Sequence, residues 1–265
     1  MSTAWEVTLQ QKQLPKLHNP LLVEGLPGIG NVGKITSDFL VEHFKAKKLY
    51  SFYSHKFPHS VFVSPIGIIE APKLDLYFKA GNGKHRDLLI LIGDIQPIDE
   101  ESCYSFCEEV IRVCKRLDCK EIVTTGGIGL EHVQDPPQVF IAATSEKVIT
   151  QFTKPKLGVQ RDIFGIVGPI VGVSGILLAV GGRREMDGAC LLAETYAHPL
   201  YLGIKGAKQI LSVIDKKYLL QLNLKKLNKD IGDMEEDLLK KTHEWSENVL
   251  SSKKGKPHKD QNYIG

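Results

Sequence analysis

GLPGIGNVGK, residues 25–34, carries two glycine signatures at once. Gly28, Gly30 and Gly33 have the spacing of a dinucleotide-binding turn, and the same glycines followed by Lys34 have the spacing of a phosphate-binding loop. The flanking residues fix how the stretch sits in the chain. PLLVEG (20–25) is a short apolar run ending in glycine, and VGKITSDFLVEHF (32–44) places Val32, Ile35, Phe39 and Leu40 at helical spacing. The stretch therefore joins a strand to a helix, the opening unit of an α/β fold.

Each signature makes a chemical demand. A dinucleotide turn needs an acidic side chain about 20 positions on, at the end of the second strand, to take the ribose hydroxyls. That strand reads KLYSFYS (48–54) and runs into His55, with no carboxylate. A phosphate loop needs Ser or Thr directly after its lysine to hold magnesium. Ile35 follows Lys34, and Thr36 comes one place late, although Asp94 after LLILIG resembles a magnesium-ordering aspartate. Two readings stay open: a nucleotide- or phosphate-binding enzyme using Gly28, Gly30, Gly33 and Lys34, or a tight turn whose small residues let strand and helix pack closely.

Further along, VFVSP (61–65) and IGIIE (66–70) precede LDLYFKAGNGKHRDLLILIGD (74–94), where Gly81, Asn82 and Gly83 predict a hairpin with a tight turn. A helical period with an acidic first turn covers 100–117, and strands are expected at 121–127 and 138–144. FGIVGPIVGVSGILLAVGG (164–182) repeats the apolar run, glycine turn and helix of the first unit. The pattern predicts a mixed, mostly parallel sheet covered by helices on both faces. Its ligand-facing edge should be lined by GLPGIGNVG, GDIQP, TTGGIG and GPIVGVSG, because loops after parallel strands gather on one side.

At 265 residues, with 42% apolar and 25% charged side chains, the chain can bury one large α/β core. A net charge of +3, carried largely by KKGKPHK (253–259), gives no footprint for nucleic acid. No apolar run approaches membrane length and MSTAWEV lacks the marks of a leader, so a cytoplasmic protein is expected. Cys103, Cys107, Cys114, Cys119 and Cys190 are odd in number and lack paired C-x2-C spacing, which predicts reduced, packed thiols and no metal. His55, His59, His85, His132 and His198 are scattered; Ser174 lacks the context of a nucleophile elbow; Glu131, His132 and Glu194 are lone acid or base candidates beside glycine loops. No catalytic residues or cofactor are expected.

Three regions follow from this: an α/β domain over 1–218, an amphipathic helix over 219–250 and a flexible basic tail over 251–265. The helix carries Leu220, Leu224, Leu227, Ile231, Met234, Leu238 and Trp245 as a narrow stripe. The tail has too little apolar content to fold, yet it ends in Tyr263, Ile264 and Gly265.

GLPGIGNVG, GDIQP, TTGGIG, GPIVGVSGILL and CLLAETYAHP, in this order over roughly residues 18–215, resemble the PAC2 family, the archaeal relatives of proteasome assembly chaperones. The resemblance implies a phosphorylase-like α/β fold, a homo-oligomer and a non-catalytic chaperone or adaptor for the 20S proteasome α-ring, with an adaptor of the same fold serving another partner protein as the alternative. It also implies a C-terminal tail carrying a hydrophobic-Tyr-any tripeptide, anchored through its free carboxylate to a lysine between α-subunits. In this chain Tyr263 stands third from the end instead of second, and Asn262 occupies the hydrophobic place. Tyr263, Ile264 and Gly265 are then the expected partner-binding residues, with Gly28, Gly30, Gly33 and Lys34 as a residual ligand loop.

Overall fold

The computed structural model describes residues 5–225 and 227, apart from 65, 82, 84, 164, 166, 167, 199 and 200. The chain divides into two compact units, Met1–Asn223 and Leu224–Gly265. Nearly all of the second lies outside the described residues, and with it the expected helix beyond residue 227, the tail, and Tyr263, Ile264 and Gly265.

The first unit is built on strands β1 (Glu6–Leu9), β2 (Leu21–Glu24), β3 (Lys47–Tyr53), β4 (Phe62–Val63), β5 (Ile69–Glu70), β6 (Leu74–Lys79), β7 (Leu88–Gly93), β8 (Glu121–Leu130), β9 (Val139–Ala143), β10 (Val159–Gln160) and β11 (Asp187–Tyr196). The helices are α1 (Val32–Phe44), α2 (Glu100–Arg116), α3 (Glu146–Phe152), α4 (Val173–Gly182) and α5 (Ile204–Tyr218). Nine strands form one sheet in the order β1-β3-β6-β7-β2-β8-β11-β9-β10, while β4 and β5 make a separate exposed ribbon. The central strands β7, β2, β8 and β11 all run parallel, and β1, β3 and β6 extend the sheet antiparallel to one edge.

The sheet is covered on both sides, so its central strands read as unbroken apolar runs. All four residues of β2 are buried. Leu22, Leu89, Leu91, Ile122, Cys190 and Leu192 enter one core cluster with α2 and α4. Their neighbours Leu21, Val23, Leu88 and Ile90 alternate to the opposite face, where α1 packs beside α5. α2 starts where Asp99 accepts the Ser102 N–H at 2.8 Å, with Glu100 and Glu101 in the first turn and Lys115 and Arg116 in the last, as the helix dipole favours. Its core side carries Cys103, Phe106, Cys107, Val110 and Cys114, and all five cysteines are buried free thiols.

α5 is tied at both ends. Gly203, its N-cap, donates its N–H at 2.7 Å to the Gly30 carbonyl in the glycine turn. At the other end Tyr218 donates its hydroxyl at 2.6 Å to Glu121, the first residue of β8, and Glu121 also pairs with Arg86. The helix thus runs from the C-terminal ends of the parallel strands back to their starts.

Several expectations need correction. The β6–β7 connection is no tight turn: it spans residues 80–87, held where the Asp87 carboxylate accepts the N–H groups of Gly81 and His18, each at 2.7 Å. The strand expected at 121–127 does not stop at its glycines: β8 continues through Ile128 and Gly129 to Leu130 by pairing with the equally long β11. The apolar run before α4 forms no strand among the described residues. The stripe's helix does not begin at 219: Leu219 closes α5 in the left-handed region, residues 220–223 are non-helical, and the Asp215 carboxylate accepts the Leu222 N–H at 3.1 Å. No helix among the described residues is long and apolar enough to cross a membrane.

Candidate functional site at the glycine loops

The C-terminal ends of β2, β7 and β8 open onto a cavity of about 370 Å³. Its walls come from all four segments expected to meet there: Gly28 and Ile29 from the first glycine loop, Gln96 from GDIQP, Thr125 to Gly129 from β8, and Gly168 to Val171 with Ser174 before and on α4. Gln96 staples two of these together, donating its side-chain N–H at 2.6 Å to the Pro27 carbonyl and accepting the Val173 N–H at 2.9 Å. The lining residues include none with a charged side chain.

Under the cavity lies Glu24, the last residue of β2, fully buried. Ser174, which lines the cavity, has its hydroxyl 3.0 and 3.3 Å from the two carboxyl oxygens. Burial pushes the Glu24 carboxyl up to about 8, against the opposing pull of Ser174 and of the Leu26 and Thr125 N–H groups. The carboxyl is therefore largely protonated at neutral pH. Cys190, fully buried nearby, is pushed up to about 12 by its desolvation, and burial together with its hydrogen bond to Cys103 raises Cys107 well above the usual thiol range. These two are packed thiols, not thiolate nucleophiles.

The glycines divide by role. A side chain at Gly25 would run into the Gly33 carbonyl, and one at Gly33 into the Thr125 carbonyl, so β2, α1 and β8 approach through bare backbone. Gly30 adopts φ +59°, and a Cβ there would sit 2.6 Å from Thr195 Oγ1. Gly28, by contrast, has nothing within 4 Å of a would-be Cβ and faces the cavity. Lys34 is not among the lining residues; its ammonium lies 3.0 Å from Asp38 and 3.9 Å from Asp94. The loop thus meets the demands of close packing, and Lys34 pairs with carboxylates away from the cavity lining. Lys34→Ala should change stability by less than about 1 kcal/mol, as expected for a half-exposed ion pair. Calorimetric titration of wild type with ATP, GTP or NAD should give no heat, and micromolar binding lost on Lys34→Ala would restore the phosphate-loop reading.

Other candidates disperse. Glu194 is buried and accepts the N–H groups of Gln134 and Gln138 at 3.3 and 2.9 Å, which fixes the loop before β9. Glu131, His132 and His198 are exposed, and His85 turns its ring to the Arg86 carbonyl. Among the described residues no three His, Cys, Asp or Glu side chains are grouped to hold a metal. Sequence reasoning missed Glu24 and the stapling role of Gln96. The available signal was a carboxylate ending an otherwise apolar parallel strand, just where such sheets build their sites.

Residues 22–241, which take in the sheet from β2 onward and all five helices, match the model of the PAC2 family. The chain belongs to the PAC2 family. An uncharacterised protein of Methanocaldococcus jannaschii is 28% identical over 262 residues, covering 98% of this chain and 97% of its own length. Among solved structures, Pyrococcus furiosus PbaB, described as an archaeal proteasome activator, is 32% identical with a TM-score of 0.81, covering 90% of this chain and 98% of PbaB. Pyrococcus furiosus PbaA, described as an archaeal homolog of proteasome-assembly chaperone, shares the fold at 24% identity and a TM-score of 0.72, over 94% of this PAC2 chain and 96% of PbaA.

Proposed function

We propose that this PAC2 protein is a non-catalytic proteasome chaperone or adaptor that works in the cytoplasm as a homo-oligomer and presents its C-terminal tails to the 20S α-ring. The observation that carries the reading is the 32% identity to PbaB, a proteasome activator, over nearly the full length of both chains. The cavity lining without charged side chains, and the ion-paired Lys34, also favour a binding protein over an enzyme. Beyond the α/β body the sequence supplies an amphipathic stripe and then a basic tail ending in Tyr263, Ile264 and Gly265. A tail with an aromatic anchor suits insertion into pockets on a ring, and several tails per oligomer turn weak contacts into avidity.

The test is deletion of residues 263–265. Pull-down of the 20S particle by the truncated protein should fail while fold and mass in solution stay unchanged. Tyr263→Ala alone should cost about 2 kcal/mol per tail if the ring is buried. Adding one residue after Gly265 separates anchoring through the terminal carboxylate, which it abolishes, from anchoring through an internal tyrosine, which survives. Undiminished binding by the truncated protein would move the contact onto the folded body.

A further inference from the structure

On the reading proposed above, binding through the tail leaves the cavity at the glycine loops without a task. Two of its walls are nonetheless kept bare without structural need. Gly28 and Gly168 line it, and a Cβ at either would meet nothing within 4 Å. Gly28 has φ −167° and ψ −158°, extended backbone that any residue adopts. The fold would accept side chains at these positions, which border the cavity. With about 370 Å³, the cavity lies within the range of small-molecule pockets.

The lining defines the chemistry of an occupant. Leu26, Ile29, Ile128, Ile170 and Leu192 supply aliphatic surface. The lining offers neither Lys, Arg nor His to balance an anion, nor Asp or Glu to balance a cation, and burying an unpaired charge is prohibitive. Thr125 already donates its hydroxyl to the Glu24 carbonyl at 2.8 Å, and the Gln96 carbonyl oxygen is committed to Val173. One amide N–H of Gln96 is given to Pro27, and Ser174 is the adaptable hydroxyl. The Leu26 and Thr125 N–H groups already occupy acceptor positions on the Glu24 carboxyl. When that carboxyl is protonated its O–H is given to Ser174 Oγ, and the Ser174 O–H is free to turn outward as a donor. We propose that this cavity binds a small uncharged molecule that offers a carbonyl-type acceptor to the Ser174 hydroxyl and an apolar body to Leu26, Ile128 and Leu192.

Fluorine NMR titration of the full chain with three shape-matched probes tests this: para-fluoroacetophenone (neutral, with an acceptor), para-fluoroethylbenzene (neutral, without one) and para-fluorobenzoate (anionic). The ketone should bind, the benzoate should not, and the hydrocarbon should bind about fivefold or more weakly than the ketone, the worth of one hydrogen bond. Ser174→Ala should bring the ketone down to the level of the hydrocarbon, and Gly28→Phe should abolish binding of both. Raising the pH past about 8 should weaken ketone binding, because ionised Glu24 reclaims the Ser174 proton. The other titratable groups acting on Glu24 are the thiols of Cys103 and Cys107 on α2 and of Cys190 on β11. The probe comparison needs only the wild-type chain, so it does not depend on any variant folding. Absence of ketone binding, equal binding of ketone and benzoate, or full ketone binding by folded Gly28→Phe would each overturn the proposal. None of these outcomes bears on the tail.

Discussion

Gly25→Ala should destabilise the protein by at least about 3 kcal/mol, the upper range for overpacking, because the added methyl meets backbone that cannot rotate away. Its Cβ would fall inside the contact shell of the Gly33 carbonyl and 2.8 Å from Ser37 Oγ. Ser37 cannot simply move, since it donates its hydroxyl to the Gly25 carbonyl at 2.6 Å. Relief would require α1 to lift from β2, and the Gly33 backbone is itself packed on Thr125 of β8. Gly28→Ala, three residues on in the same loop, should stay within about 0.5 kcal/mol of wild type, as for open surface positions. Urea denaturation of both variants measures the contrast. Equal stabilities would show that the glycines serve only chain flexibility and that the close approach of strand and helix is not a constraint.

Glu24→Gln should remove most of the dependence of stability on pH between about 4.5 and 8. The carboxyl has an ordinary value of 4.5 and is raised by burial to about 8 in the folded protein. Between those values the folded state holds a proton that the unfolded state has released, so stability falls as pH rises through this window and is level on either side. The slope approaches 1.4 kcal/mol per pH unit, or roughly 5 kcal/mol over the window. Glutamine stays neutral throughout and can still hydrogen-bond Ser174, so the variant should gain on wild type as the pH rises. Chemical denaturation at a series of pH values checks it, and parallel curves for the two proteins would mean that Glu24 ionises freely, with water reaching it.

How much was legible in the sequence depended on where the information is stored. The strand–turn–helix of residues 20–44 was readable because apolar spacing and glycines are local signals, and so were α2, β8 and the convergence of four glycine-bearing segments on one cavity. β11 was not assigned: with nine of its ten residues at least partly apolar in setting or buried, CLLAET has no alternation to separate strand from helix, and its length is set by pairing with β8. The same pairing carried β8 past its expected end at 127 to Leu130. The glycine loop misled in the opposite direction, since its spacing matches ligand-binding loops while Gly25, Gly30 and Gly33 answer to contacts with residues far along the chain, as Gly30 does with Thr195 and Gly203. Glu24 was missed because burial, the cause of its altered chemistry, is a property of the assembled sheet.

α5 has its first turn fastened to the glycine turn through Gly203 and its last residue fastened to the start of β8 through Tyr218. Fifteen residues make it about 22 Å long. Whatever occupies the glycine loops therefore sits one strut-length from the point where the chain leaves α5 towards its C-terminus. A disturbance carried between its ends would take the form of an axial slide or rotation of a stiff rod. Random mutagenesis scored separately for loss of small-molecule binding and for loss of partner capture should yield two sets of positions that scarcely overlap, with the shared hits strung along α5.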